Sequence, residues 1–208
     1  MNQNTFPTKG NYILAKNSLV LAKQGYELMD KKRNILIHEL LELISSSKSV
    51  EQELNDTFKE AYEALMRANI EMGIHHVEEV SNMIPVEESV SIKMRSIMGT
   101  EIPLVSYEET KQNVPGYAFV DTRLSLDEAT HKFNQVKKLT LRLAEIDNSA
   151  YRLAVNIKKT QMRANALKNI TIPYYQALTK SIAEALEQKD LEEFTRLKVV
   201  KRMVESKK

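Results

Sequence analysis

The residues best suited to metal chemistry are an adjacent histidine pair, His75 and His76, with Glu78 and Glu79 close behind. On a helix, His75 and Glu79 are four residues apart and share a face. A zinc site usually needs three or four converging ligands, and these residues lie in an acidic stretch typical of an exposed turn. We interpret them as surface residues and predict no metal site.

Other catalytic chemistry lacks the residues it needs. The chain has no cysteine, so thiol nucleophiles, thiolate metal sites and disulfides are excluded. No glycine-rich loop ends in Lys-Ser or Lys-Thr, and no GxGxxG follows a strand. His38 and His131 are isolated and interpreted as surface residues. The sequence therefore predicts no catalytic residue, no cofactor and no enzymatic activity of its own.

The composition favours a few long helices. The 208 residues include only 5 Gly and 5 Pro, no Trp and 28% charged residues. A compact fold turns far more often and needs more turn formers. No apolar run approaches the length of a membrane span, roughly 20 residues, and the N-terminus lacks signal-peptide features. We expect a soluble intracellular protein without direct membrane insertion.

Apolar residues at alternating spacings of three and four predict two long helices. The first series runs from Tyr12 to Leu43 and resumes from Leu54 to Met72, after a Thr8 N-cap. The second runs from Leu139 to Leu167 after an apparent capping box at Ser125–Glu128, and continues past Pro173 through Leu178, Ile182, Leu186, Phe194, Leu197 and Val204. Pro173 is expected to kink or divide its helix.

Turn-forming residues are concentrated between the two predicted helices. Pro85, Gly99, Pro103, Pro115 and Gly116 cluster there, and apolar residues alternate with polar ones from Val90 to Arg95. This pattern predicts two short paired strands within about 89–105. The hairpin residues singled out are Ile92, Met94, Gly99, Ile102 and Pro103.

These elements predict an all-α fold: a long antiparallel two-helix coiled coil with a small middle insertion that contains a short β-hairpin. The domain prediction is one elongated domain, 1–208, with an N-terminal helical arm at 9–84, the insertion at 85–124 and a C-terminal arm at 125–208. Gly25, inside the first helix, suggests either close approach of another backbone or an accidental glycine. The predicted seam residues are Leu19, Tyr26, Leu36, Leu143, Ala150 and Ile157.

Charge is distributed unevenly along the chain. Residues 9–33 hold six basic residues against two acidic ones, and 131–168 hold nine against two, whereas 51–90 hold ten acidic residues against two basic ones. A folded-back chain would place both basic arms together, away from the acidic stretch. The residues alone leave open a free-standing coiled-coil scaffold or adaptor and a basic arm that binds nucleic acid. No nucleic-acid motif or interleaved aromatic residue supports the latter.

Two stretches resemble the D subunit of the V-type and archaeal-type rotary ATPases. The first is Pro7–Lys9 with Leu21–Lys23, Gly25 and Asp30–Arg33. The second is Lys159–Leu167 with Ile170–Pro173 and Glu192–Lys198, and Met98-Gly99 and Ile102-Pro103 resemble the family's middle region. Gly10–Tyr12 and Met162 depart from the family pattern, which weakens the transfer of individual contacts.

The resemblance implies a non-catalytic central-stalk, or rotor, subunit. Such a subunit transmits torque between ATP hydrolysis or synthesis in the catalytic hexamer and proton or sodium transport through the membrane ring. Its implied partners are the catalytic A and B subunits, the small F subunit of the stalk and a socket subunit. It would be cytoplasmic and peripheral to the cell membrane. The catalytic hexamer would hold the shaft in a bearing formed by its central cavity. Together with the charge pattern, the resemblance suggests that five basic residues contact this bearing: Lys158, Lys159, Arg163, Lys198 and Lys201.

Overall fold

The computed structural model describes residues 6–84, 89–107, 117 and 122–206. Helix α1 spans Lys9–Met72 and α2 spans Ile74–Met83; strands β1 and β2 span Val90–Ile97 and Thr100–Tyr107. Helix α3 spans Leu124–Ala166 and is followed by a π-helical segment at Leu167–Thr171 and helix α4 at Ile172–Glu205. The predicted fold class, two long helical arms around a small hairpin, is confirmed. Pro85, Pro115 and Gly116 lie outside the described residues.

The helix ends show how local chemistry sets the bounds. Thr8 caps α1, because its Oγ1 accepts a hydrogen bond from the Asn11 amide at 3.2 Å. Gly73, at φ 85°, separates α1 from α2, so the N-terminal arm is two helices. The predicted capping box at Ser125 is wrong: α3 already begins at Leu124, and the Ser125 hydroxyl donates to Glu71 Oε2 at 2.7 Å.

The hairpin forms where the alternation predicted it. Strands β1 and β2 are antiparallel, with Ile92 opposite Val105 and Met94 opposite Pro103. Met98 and Gly99 connect them, with φ 49° and 73°. Two successive residues with positive φ are the signature of the type I′ turn, whose twist suits a two-residue hairpin.

Pro173 neither ends the helix nor removes an interior hydrogen bond of α4. It lies at the first positions of α4, where proline is tolerated best. The π-helical segment directly before it separates α3 from α4, and the flanking residues Ala166 and Ile172 keep right-handed helical angles. The arm is thus divided into α3 and α4 at the π-helical segment before the proline, while its backbone stays helical.

The chain divides into two units, Met1–Asn34 with Lys158–Lys208, and Ile35–Ile157. In the second unit α1 and α3 are antiparallel: Ser47 contacts Asp147, and Glu71, further along α1, contacts Ser125, earlier in α3. Its apolar side chains form three clusters, centred on Leu36–Ile102–Leu153, on Leu54–Ala61–Val136 and on Ala68–Val77–Val80–Tyr117–Leu126.

The first unit is also an antiparallel helix pair. Arg33 Nη1 donates to Gln161 Oε1 at 2.8 Å, and at the start of α1 the Pro7 carbonyl accepts from Lys189 Nζ at 3.4 Å. Since the residue numbers on the α1 side fall as those on the contacting helices rise, the two arms run in opposite directions. None of the helices in the described part of the chain is long and apolar enough to cross a membrane.

Candidate partner-binding surfaces

The histidine pair is on the surface of the second unit. His75 and Glu79 are exposed, and the contact that forms is between His76 Nδ1 and Glu79 Oε2, at 3.8 Å. Within the described ranges, no three His, Asp or Glu side chains converge as a metal site requires. His75, Glu78 and Glu79 lie on a solvated helix surface, whereas His76 is half-buried and its Nε2 is buried without a hydrogen-bond partner among the described residues.

The six predicted seam residues are buried or half-buried. Leu36 is fully buried, and the other five are half-buried. In the first unit Lys168 Nζ lies 5.8 Å from the centre of the Tyr26 ring. In the second unit Leu143 and Ile157 pack against two different apolar clusters.

Arg33 is the charged member of the first apolar series, and its contacts explain why a charged residue is accommodated there. Its side chain is half-buried, with Nη2 2.6 Å from Asp30 Oδ1 and Nη1 bonded to Gln161. A bonded polar side chain inside a helix interface fixes the register of the pair, because any slip would leave it unpaired. Gly25 has no close backbone neighbour: an added Cβ would meet Leu167 Cδ1 at 3.7 Å, an ordinary contact.

All five predicted bearing residues are exposed and belong to the first unit. Lys158, Lys159 and Arg163 lie on α3, whereas Lys198 and Lys201 lie near the end of α4. The π-helical segment and most of α4 separate the two groups along the chain. Lys201 Nζ is 3.8 Å from Glu205 Oε1, a solvent-exposed pair. The structure therefore presents two basic patches and does not join them into one site.

The end of α4 is a surface that the periodicity misassigned. Ile182 is the last buried residue, and Phe194, Leu197 and Val204, which continue the apolar series, are exposed. The reason is geometric: Lys189 already pairs with Pro7, just before α1 begins, so no described α1 residue lies opposite the last turns of α4. Counting apolar spacings cannot reveal where the opposite helix starts.

This terminal face combines apolar and basic groups. Phe194 and Leu197 are 66% and 69% exposed, and a shallow groove runs along another side of the same helix. Large apolar side chains exposed together usually mark a contact with another molecule. The groove is lined by Leu191, Glu192, Thr195, Arg196, Val199, Val200 and Met203.

The hairpin is held on the second unit by polar groups of α3. The Glu145 carboxylate accepts from the Val105 amide at 3.0 Å, and Arg152 Nη1 donates to the Glu101 carbonyl at 3.3 Å. Asn156 also hydrogen-bonds the buried Thr100 hydroxyl. Ile97 and Ile102 pack into the Leu36–Leu153 cluster, so the hairpin belongs to the core of this unit.

Tyr117 is a buried tyrosine of the second unit. Its ring is buried with Ala68 and Leu126, and its hydroxyl donates to Asp127 Oδ1 at 2.5 Å. Burial, and then the hydrogen bond to Asp127, raise the pKa of the phenol above its ordinary value of 10.0. The group therefore stays neutral and acts as a structural hydrogen-bond donor.

Comparison with known proteins identifies this architecture. The family model that describes the D subunit of ATP synthase matches residues 11–202. The D subunit of the V-type ATP synthase of Thermotoga neapolitana is 41% identical over 198 residues, which cover 95% of this chain and 97% of that protein. The D subunit of the A-type ATP synthase of Thermococcus kodakarensis is 35% identical over 206 residues, covering 98% and 96%. That of Pyrococcus abyssi is 36% identical over 203 residues, covering 97% and 95%.

These matches, which extend over nearly the whole chain, define the class: a stalk subunit of the rotary ATPases of the V and A types. The chain belongs to the ATP synthase D-subunit family. It is thus part of a membrane-associated complex and works with catalytic and stalk subunits, which disfavours the free-standing scaffold and the nucleic-acid arm.

Proposed function

We propose that this chain is the torque-transmitting shaft of its ATPase and performs no catalytic step itself. The observation that carries the proposal is the last part of α4, where large apolar side chains are exposed beyond the start of α1. A surface of this kind needs an outside partner. A cavity formed by a hexamer of catalytic A and B subunits is the partner that a shaft of this family would enter.

The second unit offers a different surface for the membrane side of the complex. Tyr62, Met66, Ile70 and Ile74 follow one another at spacings of four and are all more than half exposed. Glu63, Glu71, Glu78 and Glu79 are exposed in the same stretch of the chain. An exposed apolar series in an acidic stretch suits a socket subunit with a complementary pocket, and the hairpin side of the same unit suits the small F subunit of the stalk. The chain would then be cytoplasmic and peripheral to the membrane.

The bearing would be built from weak, distributed contacts. Lys158, Lys159 and Arg163 on α3, with Lys198 and Lys201 on α4, are exposed, and an exposed ion pair contributes only about 0–1 kcal/mol. A shaft that passes equivalent positions in turn needs contacts that break easily. No single one of these charges should be essential.

The test is ATP hydrolysis and ion pumping measured side by side in a reconstituted complex. Neutralising one bearing residue, as in Arg163→Gln, should change the hydrolysis rate by less than about fivefold, because one exposed pair contributes at most about 1 kcal/mol. Ile157→Pro should uncouple hydrolysis from pumping, because proline inside a helix costs about 3 kcal/mol or more and breaks it. Ile157→Leu is the matched control and should remain coupled.

Two outcomes would contradict the proposal. If Arg163→Gln abolished both activities while the complex stayed assembled, a dedicated contact would replace the distributed bearing. If Ile157→Pro left pumping fully coupled, continuous helical structure at this position would not be needed for torque.

A further inference from the structure

Strand β1 has an outer edge that no described residue covers. The sheet contains only β1 and β2 among the described residues, so β1 pairs on one side alone. Seven of its eight residues are exposed, and only Ile97 is half-buried. An unpaired strand edge presents a row of free amides and carbonyls, which natural proteins usually cover.

The contacts of β2 show which β1 groups point outward. In an antiparallel pair, every second residue directs its amide and carbonyl away from the partner strand. Val105 is such a residue, because its amide donates to Glu145 on α3. Its register partner Ile92 therefore also points its backbone groups away from β2, and so do residues two positions along, including Met94. Pro103, opposite Met94, fits this pattern because it has no amide to donate.

The side chains of the free edge alternate in a definite way. Val90, Ile92 and Met94 lie on one face and are 37%, 64% and 57% exposed. Lys93 and Arg95 lie on the other face, both exposed, and neither forms an ion pair with another described residue. The edge thus combines apolar groups on one face with unpaired positive charge on the other.

The hairpin is also held rigidly enough to act as a template. Glu145, Arg152 and Asn156 of α3 bind three β2 residues, and Ile102 is buried in the Leu36–Leu153 cluster. A strand that docks on β1 would meet an edge whose shape is already fixed, so little ordering entropy is lost.

We propose that β1 receives an extended strand from another subunit of the ATPase, with apolar and acidic side chains in alternation. The added strand would hydrogen-bond the outward groups of Val90, Ile92, Met94 and Ser96, as in β-strand addition. Its apolar residues would lie beside Ile92 and Met94, and its carboxylates beside Lys93 and Arg95. Pairing with β1 of a second copy is disfavoured, because it would place these cations against one another.

The inference rests on the proposed function, and amide hydrogen exchange on the free chain and on the reconstituted complex tests it separately. In the free chain the amides of Ile92, Met94 and Ser96 should exchange rapidly, whereas those of Lys93 and Arg95, bonded to β2, should be protected. In the complex the first three should slow by at least about tenfold, while the last two change little. This alternation distinguishes strand pairing from simple burial.

Two variants sharpen the test. Met94→Pro removes an outward amide and no bond to β2, so it should abolish the new protection of Ile92 while Lys93 and Arg95 stay protected, which shows that the hairpin is folded. Met94→Ala is its control and should keep most of the protection. Lys93→Glu with Arg95→Glu should lower the protection by about tenfold, since two charges are reversed, and Lys48→Glu should not.

Three results would overturn the inference. The outward amides could exchange equally fast in the free chain and in an active complex. That result would rule out strand addition and would leave the proposed function intact. Their protection could persist unchanged in Met94→Pro, which would indicate burial without pairing. Protection in the isolated chain that grows with its concentration would indicate pairing between copies. Failure of the chain to assemble with ATPase subunits would instead count against the proposed function.

Discussion

The two units close their helix pairs with different side chains. In the second unit Leu36 and Leu153 are fully buried and pack with Ile102, and all three described apolar clusters belong to this unit. In the first unit most buried side chains are small. The buried residues described in the first unit are Ala15, Ala22, Thr160, Ala164 and Ile182, and only Ile182 among them is large.

This difference concerns which apolar side chains are buried in the core of a unit and which are exposed at its surface. In the first unit Leu14, Leu21 and Leu28 are exposed by 65%, 73% and 64%. They recur every seven residues on α1, outside the helix contact. The second unit gains its stability from large buried side chains, whereas the helix contact of the first is built mainly from small ones. Both units keep large apolar side chains exposed and available to partners.

The largest expected effect is in the second unit. Leu153→Ala should lower the free energy of unfolding by about 2–5 kcal/mol, because it leaves a cavity in a fully buried site. The measurement is chemical denaturation followed by circular dichroism. Leu197→Ala, at an exposed position of α4, is the control and should change stability by less than about 0.5 kcal/mol. Equal losses would show that the two units do not differ in this way.

A smaller effect is expected from overfilling the first unit. Ala164→Leu should destabilise by about 1–3 kcal/mol, since a side chain that is only 1% exposed has little room to grow. The measurement is thermal melting followed by circular dichroism. Ala177 is exposed, so Ala177→Leu should leave the stability nearly unchanged in the same measurement. If Ala164→Leu raised the melting temperature, small residues would not be required at this helix contact.

Removing the Tyr117 hydroxyl should cost about 1.5 kcal/mol at neutral pH, because it deletes a hydrogen bond to a carboxylate. The folded-state pKa of this phenol is raised, so its stabilisation is complete below pH 10 and is lost as pH rises through the raised pKa. Urea titrations from about pH 8 to about pH 11.5 should therefore show a steeper loss of stability in the parent than in Tyr117→Phe. Parallel curves would exclude the buried neutral phenol.

The smallest effect should be a gain. Gly25→Ala should stabilise the chain by about 0.8–1 kcal/mol, because alanine favours the helix and its Cβ would make only an ordinary contact with Leu167. Gly99→Ala is the contrasting control and should destabilise, because Gly99 has a positive φ. A loss of stability in Gly25→Ala would indicate that the two helices are closer there than the structure shows.

The sequence predicted what depends on neighbours along the chain. Alternation from Val90 to Arg95 predicted the hairpin, and Thr8 was recognisable as a cap because its partner is three residues away. Ser125 was misassigned because its acceptor, Glu71, comes from a distant part of the chain.

The surfaces were harder to predict for the same reason. Glu145 gives no local sign that it will bind the Val105 amide. The exposure of Phe194 depends on where α1 starts, which no periodicity within α4 encodes. Patterns within one element were predictable, whereas contacts between elements needed the structure.

The π-helical segment shifts the contact-facing positions of the heptad repeat by one residue. Thr160, Ala164 and Leu167 face the helix contact at spacings of four and three, and the unbroken count would place Tyr174 there after Thr171, and Ser181 after Leu178. Tyr174 and Ser181 are exposed or half-exposed, whereas Ile182, one residue later, is buried. A wider turn holds one extra residue, as an insertion would. A related sequence without that residue should carry its contact-facing positions one place earlier from this point to its end.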